Sequence, residues 1–214
     1  MGTRLRSALA DKPKPMVEID GRPFLEYQIK LLAKQGFTDI LLCTGYKHEV
    51  IENYFGNGEK LGLHVKYSVE SKPYGTAGAL RLAGEKLQNK FILLNGDTYI
   101  DMPYYELADK MPNMLVVSYR EDTTSYGTVL IENQRVIHFK EKVDTLTHGY
   151  VNCGVYLFNK KDVLPLIPRG KSSLEYGVLP KLNLGTFVID SDFFDIGTPD
   201  RLNIFKEVMV NASY

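Results

Sequence analysis

Two aspartates stand at the ends of apolar runs, Asp97 after "FILLNG" and Asp195 after "FF". In open α/β sheets, ligands gather outside the carboxyl ends of the strands. Two carboxylates there can share one Mg²⁺, which takes one or two protein carboxylates and leaves its other positions to water and phosphate. Gly96 lets a ligand approach the backbone beside Asp97. Each aspartate also has a plainer reading as a turn or cap residue, and Thr198 and Asp200 compete for the cap of the helix that Pro199 opens. Positive charge comes from the opening stretch "MGTRLRSALADKPKPM", with Arg4, Arg6, Lys12 and Lys14. Pro13 and Pro15 predict an extended path that projects Lys14 from a stiff segment. "PYGTAGAL" puts Gly75, Thr76, Ala77 and Gly78 at a predicted helix start, where free N–H groups can meet an anion or an acceptor edge. An ordinary tight turn explains that stretch equally well. "HFKEKV" sets Glu141 and Lys142 side by side, and both reach one ligand if the strand ends there. Asn152, Ser173 and Glu175 complete the polar set, and each alone reads as a surface or capping residue. The four histidines show no ligand spacing.

The elements that must position these groups alternate in the first half. "RPFLEYQIKLLAKQG" has Phe24, Leu25, Gln28, Ile29 and Leu32 at helical spacing, with Pro23 at its start and Gly36 past its end. "TDILLCTG" is a strand, "KHEVIENYFGNG" a helix, "LHVKYSVE" a strand, "TAGALRLAGEKL" a helix and "KFILLNGD" a buried strand. This rhythm predicts a Rossmann-like, mostly parallel mixed sheet flanked by helices. The second half is richer in strands: "NMLVVSYR", "YGTVLIE", "RVIHFKEK" and "YVNCGVYLF". Two helical stretches follow, around Ser173–Leu182 and Pro199–Val210. No internal repeat, low-complexity tract or linker interrupts the chain, so one domain over 1–214 is expected, with halves 1–101 and 102–214.

Composition narrows the function. Lys+Arg and Asp+Glu are both 26 in 214 residues, so the formal net charge is zero. A balanced surface has no global pull toward nucleic acid or an anionic membrane. No apolar run is long enough to span a bilayer, and no secretory leader stands at the start. Cys43 and Cys153 sit in apolar runs and read as buried free thiols. These features predict a cytoplasmic protein.

Taken in order, "GTRLR", "KPKPM", "YGTAGAL", "LNGDTYID", "YGTV", "FKEKV", "VNCGVYLF", "SSLEYGVLPKL" and "FFDIGTPDRL" cover nearly the whole chain. The sequence resembles the sugar-phosphate nucleotidyltransferases, or NDP-sugar pyrophosphorylases. It is most similar to the guanylyltransferases for D-glycero-α-D-manno-heptose 1-phosphate, with the guanylyltransferases for mannose 1-phosphate and the thymidylyltransferases for glucose 1-phosphate close behind, and a glucose-1-phosphate uridylyltransferase type as an alternative. The resemblance implies their nucleotidyltransferase (GT-A-like) fold and their reaction: an NTP and a sugar 1-phosphate give an NDP-sugar and pyrophosphate. It implies Mg²⁺ on Asp97 and Asp195. It assigns Gly2, Thr3, Arg4, Gly75, Thr76, Gly78 and Asp97 to the nucleotide, and Gly96, Glu141, Lys142, Asn152, Gly154 and Glu175 to the sugar. Arg4 and Lys14 would draw charge from the leaving pyrophosphate, and Lys142 would hold the sugar phosphate in line. No general base is expected, because the nucleophile is already an anion. The implied partners are the two substrates, with room for a homo-oligomer.

The family pattern "L-A-G-G-x-G-T-R-L-R" follows a buried strand, and this chain begins at the x, Met1. That strand would lie between the strands near Ile40 and Leu93. The resemblance therefore predicts a gap, a direct pairing or a borrowed element there, and less activity than in a chain extended by that strand. Two other readings stay open. A glycosyltransferase would show Asp-x-Asp, whereas Thr98 and Tyr99 follow Asp97. A non-catalytic sugar-nucleotide binding module would bind without releasing pyrophosphate. A nicotinamide oxidoreductase is disfavoured, because no G-x-G-x-x-G follows a first strand.

Overall fold

The computed structural model describes residues 12–124, 126–140 and 147–211. In chain order its elements are β1 (Glu18–Ile19), β2 (Arg22–Pro23), α1 (Phe24–Lys34), β3 (Asp39–Thr44), α2 (His48–Phe55), β4 (His64–Val69), α3 (Gly75–Leu82) and β5 (Lys90–Leu94). Next come β6 (Thr98–Ile100), α4 (Tyr104–Ala108), β7 (Met114–Arg120), β8 (Thr128–Glu132), β9 (Arg135–Lys140) and β10 (Gly149–Asn159). The chain continues with α5 (Lys160–Val163), α6 (Leu174–Gly177), β11 (Gly185–Ile189), β12 (Phe193–Asp195) and α7 (Pro199–Asn211).

These elements form two compact units. One comprises Met1–Val69, Gly96–Asp101 and Asp192–Tyr214; the other comprises Glu70–Asn95 and Met102–Ser191. The chain crosses between them four times, and the boundary read at residue 101 is one of the crossings.

In the first unit, β3 and β4 pair in parallel from Asp39↔His64 to Thr44↔Val69. The predicted stripe of α1, Phe24, Leu25, Gln28, Ile29 and Leu32, is buried throughout. Leu25 and Ile29 join Met16, Ile51, Phe55, Leu63 and Val65 in the core. A second contact set gathers around the fully buried Phe205 of α7, whose ring lies 5.0 Å from Phe24 and 5.2 Å from Tyr99. Burying such a ring stabilises by about 1.5–3 kcal/mol, and here it ties α7 to α1 and β6. Cys43 departs from the sequence reading: it is exposed. The apolar run around it alternates less than a half-buried strand should, and the side chains of Ile40, Leu41 and Leu42 are all half-buried. Of the two strands expected to flank the missing one, β3 with Ile40 pairs with β4, and β5 with Leu93 pairs with β10.

The second unit is built on a six-stranded sheet of order β5-β10-β7-β11-β9-β8, with β8 also reaching β10. The near-continuous apolar run of β7, with Leu115, Val116 and Val117 at 0% exposure, marks it as central and covered on both faces. It pairs antiparallel with β10 and parallel with β11. The mixed α/β class is as expected. Parallel pairing among the described strands is confined to β3–β4 and β7–β11, because β8, β9 and β10 return as antiparallel neighbours. Tyr156 and Phe158 stack at 5.4 Å inside this core, whose other members include Ala77, Leu80, Leu174 and Leu179. Cys153 is buried as predicted, and burial pushes its thiol up to about 12, which leaves it inert.

Candidate active site

The first unit brings Asp97 and Asp195 together. β6 and β12 pair antiparallel, with Asp195 opposite Thr98, and the Ile196 N–H donates to the Asp97 carbonyl at 3.0 Å. The two carboxylates therefore rise from adjacent backbone at the ends of two short strands. Lys14 Nζ lies 2.6 Å from Asp97 Oδ2. The segment that carries Lys14 differs from the sequence reading. Pro13 is extended, but Lys14–Met16 form a 3₁₀ turn closed by Met16 N–H to the Pro13 carbonyl at 2.8 Å. Met16 is buried in the core, so the lysine stands on an anchored turn.

Asp195 is not the helix cap. Thr198 takes that part, accepting the Arg201 N–H at 3.3 Å through its hydroxyl. Asp195 Oδ1 instead accepts the Gly197 N–H at 2.9 Å, and Oδ2 pairs with the Arg201 guanidinium. A Cβ on Gly197 would stand 2.7 Å from Asp195 Oδ1 and 3.8 Å from Lys14 Nζ, so lysine, glycine turn and both carboxylates share one small volume. Gly96 is exposed, and a Cβ there would meet only Pro15 at 3.9 Å, which leaves that backbone approachable. Among the described residues no group of three or more His, Cys, Asp or Glu could hold a metal. A cation here would rest on two carboxylates, the donor set of an ion that keeps water and phosphate in its remaining positions.

Two residues of this site were missed in the sequence. Arg201 reads as an ordinary helix residue; the signal was its place in the first turn of the helix after Asp195. Gln28 reads as a member of the buried stripe of α1. Its amide Nε2 donates to the Thr98 carbonyl at 2.7 Å and pins the strand that follows Asp97.

The second unit builds a different cluster. Gly75 adopts φ +77°, and a Cβ there would lie 2.4 Å from the Ser172 carbonyl oxygen. That carbonyl accepts the Ala77 and Gly78 N–H groups at 3.1 and 3.4 Å. The expectation of free amides at this helix start is thus corrected for these two: they are taken by the 172–175 segment, and the glycines let the two backbones meet. Thr76 Oγ1 and Ser173 Oγ both donate to Glu175 Oε2, at 3.0 and 2.7 Å. On β10, Asn152 spends its amide locally: Oδ1 accepts the Gly154 N–H at 2.8 Å, and Nδ2 donates to the buried Tyr156 hydroxyl at 2.9 Å. Gly154 sits at φ +71° in the bulge between Asn152 and Tyr156, where a Cβ would lie 2.4 Å from the Asn95 side-chain amide. Asn95 was legible only as part of "LNGD".

Gly2, Thr3, Arg4, Arg6, Glu141 and Lys142 lie outside the described residues. The remaining predicted residues fall into two groups. Lys14, Gly96, Asp97 and Asp195 belong to the first unit; Gly75, Thr76, Gly78, Asn152, Gly154 and Glu175 belong to the second.

Comparison with known proteins adds to this geometry. The family model described as nucleotidyl transferase matches residues 1–202. A D-glycero-alpha-D-manno-heptose 1-phosphate guanylyltransferase from Campylobacter jejuni is 38% identical over 205 residues, covering 94% of this chain and 92% of that protein. Mannose-1-phosphate guanyltransferase 2 from Candida glabrata is 34% identical over 215 residues, covering 92% of this chain and 59% of its own. The crystal structure of HddC from Yersinia pseudotuberculosis superposes with a TM-score of 0.86 at 32% identity, over 98% of this chain and 95% of that one. HddC has also been solved complexed with GMP-PN.

Proposed function

This chain belongs to the nucleotidyl transferase family, and on that premise we propose that it makes a GDP-sugar from GTP and heptose or mannose 1-phosphate. We take residues 1–214 as one nucleotidyltransferase domain working in the cytoplasm, where nucleoside triphosphates are supplied. A phosphate oxygen of the sugar 1-phosphate attacks the α-phosphorus of the nucleotide. One P–O bond forms, the α–β bridging P–O bond breaks, and pyrophosphate leaves. The nucleophile is already anionic, so the protein's work is positioning and charge neutralisation.

The observation that carries this reading is the pairing of β6 with β12, which sets Asp97 beside Asp195 with Lys14 on Asp97. The two aspartates would hold a divalent metal, Mg²⁺ by their hard oxygen chemistry, which when bound would offset charge at the α-phosphate. Lys14, anchored through Met16, supports charge leaving with pyrophosphate, together with Arg4. Lys142 holds the sugar phosphate in line. Gly75 and Gly78 shape the nucleotide loop, with Gly2 and Thr3 at the phosphates. Gly96, Glu141, Asn152, Gly154 and Glu175 serve the sugar; Asn152 and Gly154 do so by fixing the β10 bulge. The guanine preference follows the relatives, one of which binds GMP-PN.

A matrix of GTP, dTTP and UTP against heptose, mannose and glucose 1-phosphates, read by pyrophosphate release, tests this. Turnover is expected with GTP and heptose or mannose 1-phosphate. Preferred turnover of dTTP or UTP with glucose 1-phosphate would replace the assignment of base and sugar. Nucleotide binding with no pyrophosphate from any pair would mark a binding module.

A further inference from the structure

Thr76 lies in the loop whose glycines suggest a nucleotide contact, yet its hydroxyl is engaged elsewhere. Oγ1 accepts the Leu174 N–H at 2.7 Å and donates its proton to Glu175 Oε2 at 3.0 Å. A threonine hydroxyl has a single proton to give, and here Glu175 holds it. Ser173 Oγ donates to the same carboxylate oxygen at 2.7 Å. Oε2 therefore receives two hydroxyl donors, and among the described residues the other oxygen, Oε1, accepts none. Two hydrogen bonds to one oxygen fix the rotation of the carboxylate, and bonds to a charged acceptor are stronger than neutral ones. The backbone runs the same way. Ala77 and Gly78 donate to the Ser172 carbonyl, and the Ser172 N–H donates to the Tyr74 carbonyl at 2.8 Å. The loop 74–78 is thus a seat for the segment that carries Glu175. The negative charge of Glu175 also reaches the Asn152–Tyr156 pair, since after burial it is the next cause that raises the Tyr156 phenol.

We propose that Thr76 is a positioning residue for the sugar 1-phosphate, acting through Glu175, and not a contact of the nucleotide. With Ser173 it holds Oε2 so that Oε1 stays available to accept from a substrate hydroxyl. The inference rests on the reading of Glu175 as an acceptor for the sugar.

Steady-state kinetics on the full chain test it, with GTP and the preferred sugar 1-phosphate varied separately. Thr76→Val is expected to raise KM for the sugar 1-phosphate about tenfold, the scale of one lost hydrogen bond to a charged group, with KM for GTP within about twofold of the parent. Thr76→Ser, which keeps the hydroxyl, is expected to restore the parent values. In a Glu175→Ala background, Thr76→Val is expected to add nothing further. Calorimetric binding of the sugar nucleotide product gives the same ranking without turnover. A larger rise in KM for GTP than for the sugar, or losses that add fully in the double variant, would overturn the proposal. If Glu175→Ala leaves the sugar KM unchanged, the reading of Glu175 fails and the proposal with it. If Glu175→Ala raises the sugar KM but Thr76→Val and Thr76→Ala do not, the reading stands and the proposal alone fails. Should Thr76→Val not fold, Ser173→Ala reports on the other donor, with the same selective rise expected and an unselective one counting against the idea.

Discussion

The carboxylates of the two units are managed in opposite ways. Asp97 and Asp195 each face a cation, Lys14 and Arg201. Glu175 faces two neutral hydroxyls and keeps its charge uncompensated by them. The scaffolds differ as well. The aspartates are placed by backbone pairing between distant strands, β6 and β12, and by one buried amide, Gln28. Glu175 is placed by close backbone contact at Gly75, where no side chain fits. On the roles proposed above, a site that must neutralise phosphate gains from cations already in place. A site that must read neutral hydroxyls gains from an acceptor whose charge is not spent on a cation. The contrast separates charge chemistry from shape.

The strongest way to break that contrast is to remove charge from the first unit. Asp97→Asn and Asp195→Asn are each expected to lower kcat by about two to three orders of magnitude, the scale of losing one electrostatic stabiliser at the reacting centre. Circular dichroism and melting temperature should stay near those of the parent. Near-parent turnover at limiting Mg²⁺ would remove that aspartate from the metal site.

A smaller effect should come from filling the glycine seat. Gly75→Ala places a Cβ at φ +77° and against the Ser172 carbonyl, so a loss of about 1–3 kcal/mol in denaturant stability is expected. Gly96→Ala, which meets only open space beside Pro15, should leave stability unchanged and act on substrate affinity. Equal stability losses at both would erase the distinction between a shape-built and a charge-built site.

The smallest effect is expected at the pin behind Asp97. Gln28→Leu keeps the buried bulk and leaves the Thr98 carbonyl without its donor, a cost of about 1–2 kcal/mol. The resulting shift of β6 should lower kcat more than it raises KM for either substrate. An unchanged kcat with lowered stability would make Gln28 a core residue only.

Much of the fold is legible because apolar spacing is strong where burial is complete. The α1 stripe is buried as its period requires, and β7 reads as a strand from "NMLVVSYR". The pairing of β6 with β12 is not legible: each strand has three residues, and they meet across a long stretch of chain, which no local pattern encodes. β11, "GTFVI", is five residues long and takes its place through parallel pairing with β7. The site followed the same rule. Asp97 and Asp195 are legible as candidates because a carboxylate at a strand end is a local signature. The partners that define them, Arg201 and Gln28, are not, because a guanidinium or an amide on a helix looks the same whether it meets water or a buried acceptor. The helix start at Gly75 shows the converse. Its local signature was read, but Ser172, far away in the chain, had already taken the amides.

The β6–β12 pairing also sets the order in which the molecule can become competent. Asp97 is synthesised well before its neighbour Asp195, the strand that aligns it and the Phe205 ring that packs against Tyr99, all of which lie far downstream in the sequence. Such long-range contacts close late, since the loop entropy must be met before they contribute. On the ribosome the β3–β4 layer can assemble first, but the aspartate pair cannot, and a nascent chain halted before residue 193 would carry Lys14 and Asp97 without Asp195. The meeting of Asp97 with Asp195 is therefore a late event in synthesis, and a chain halted before β12 lacks it.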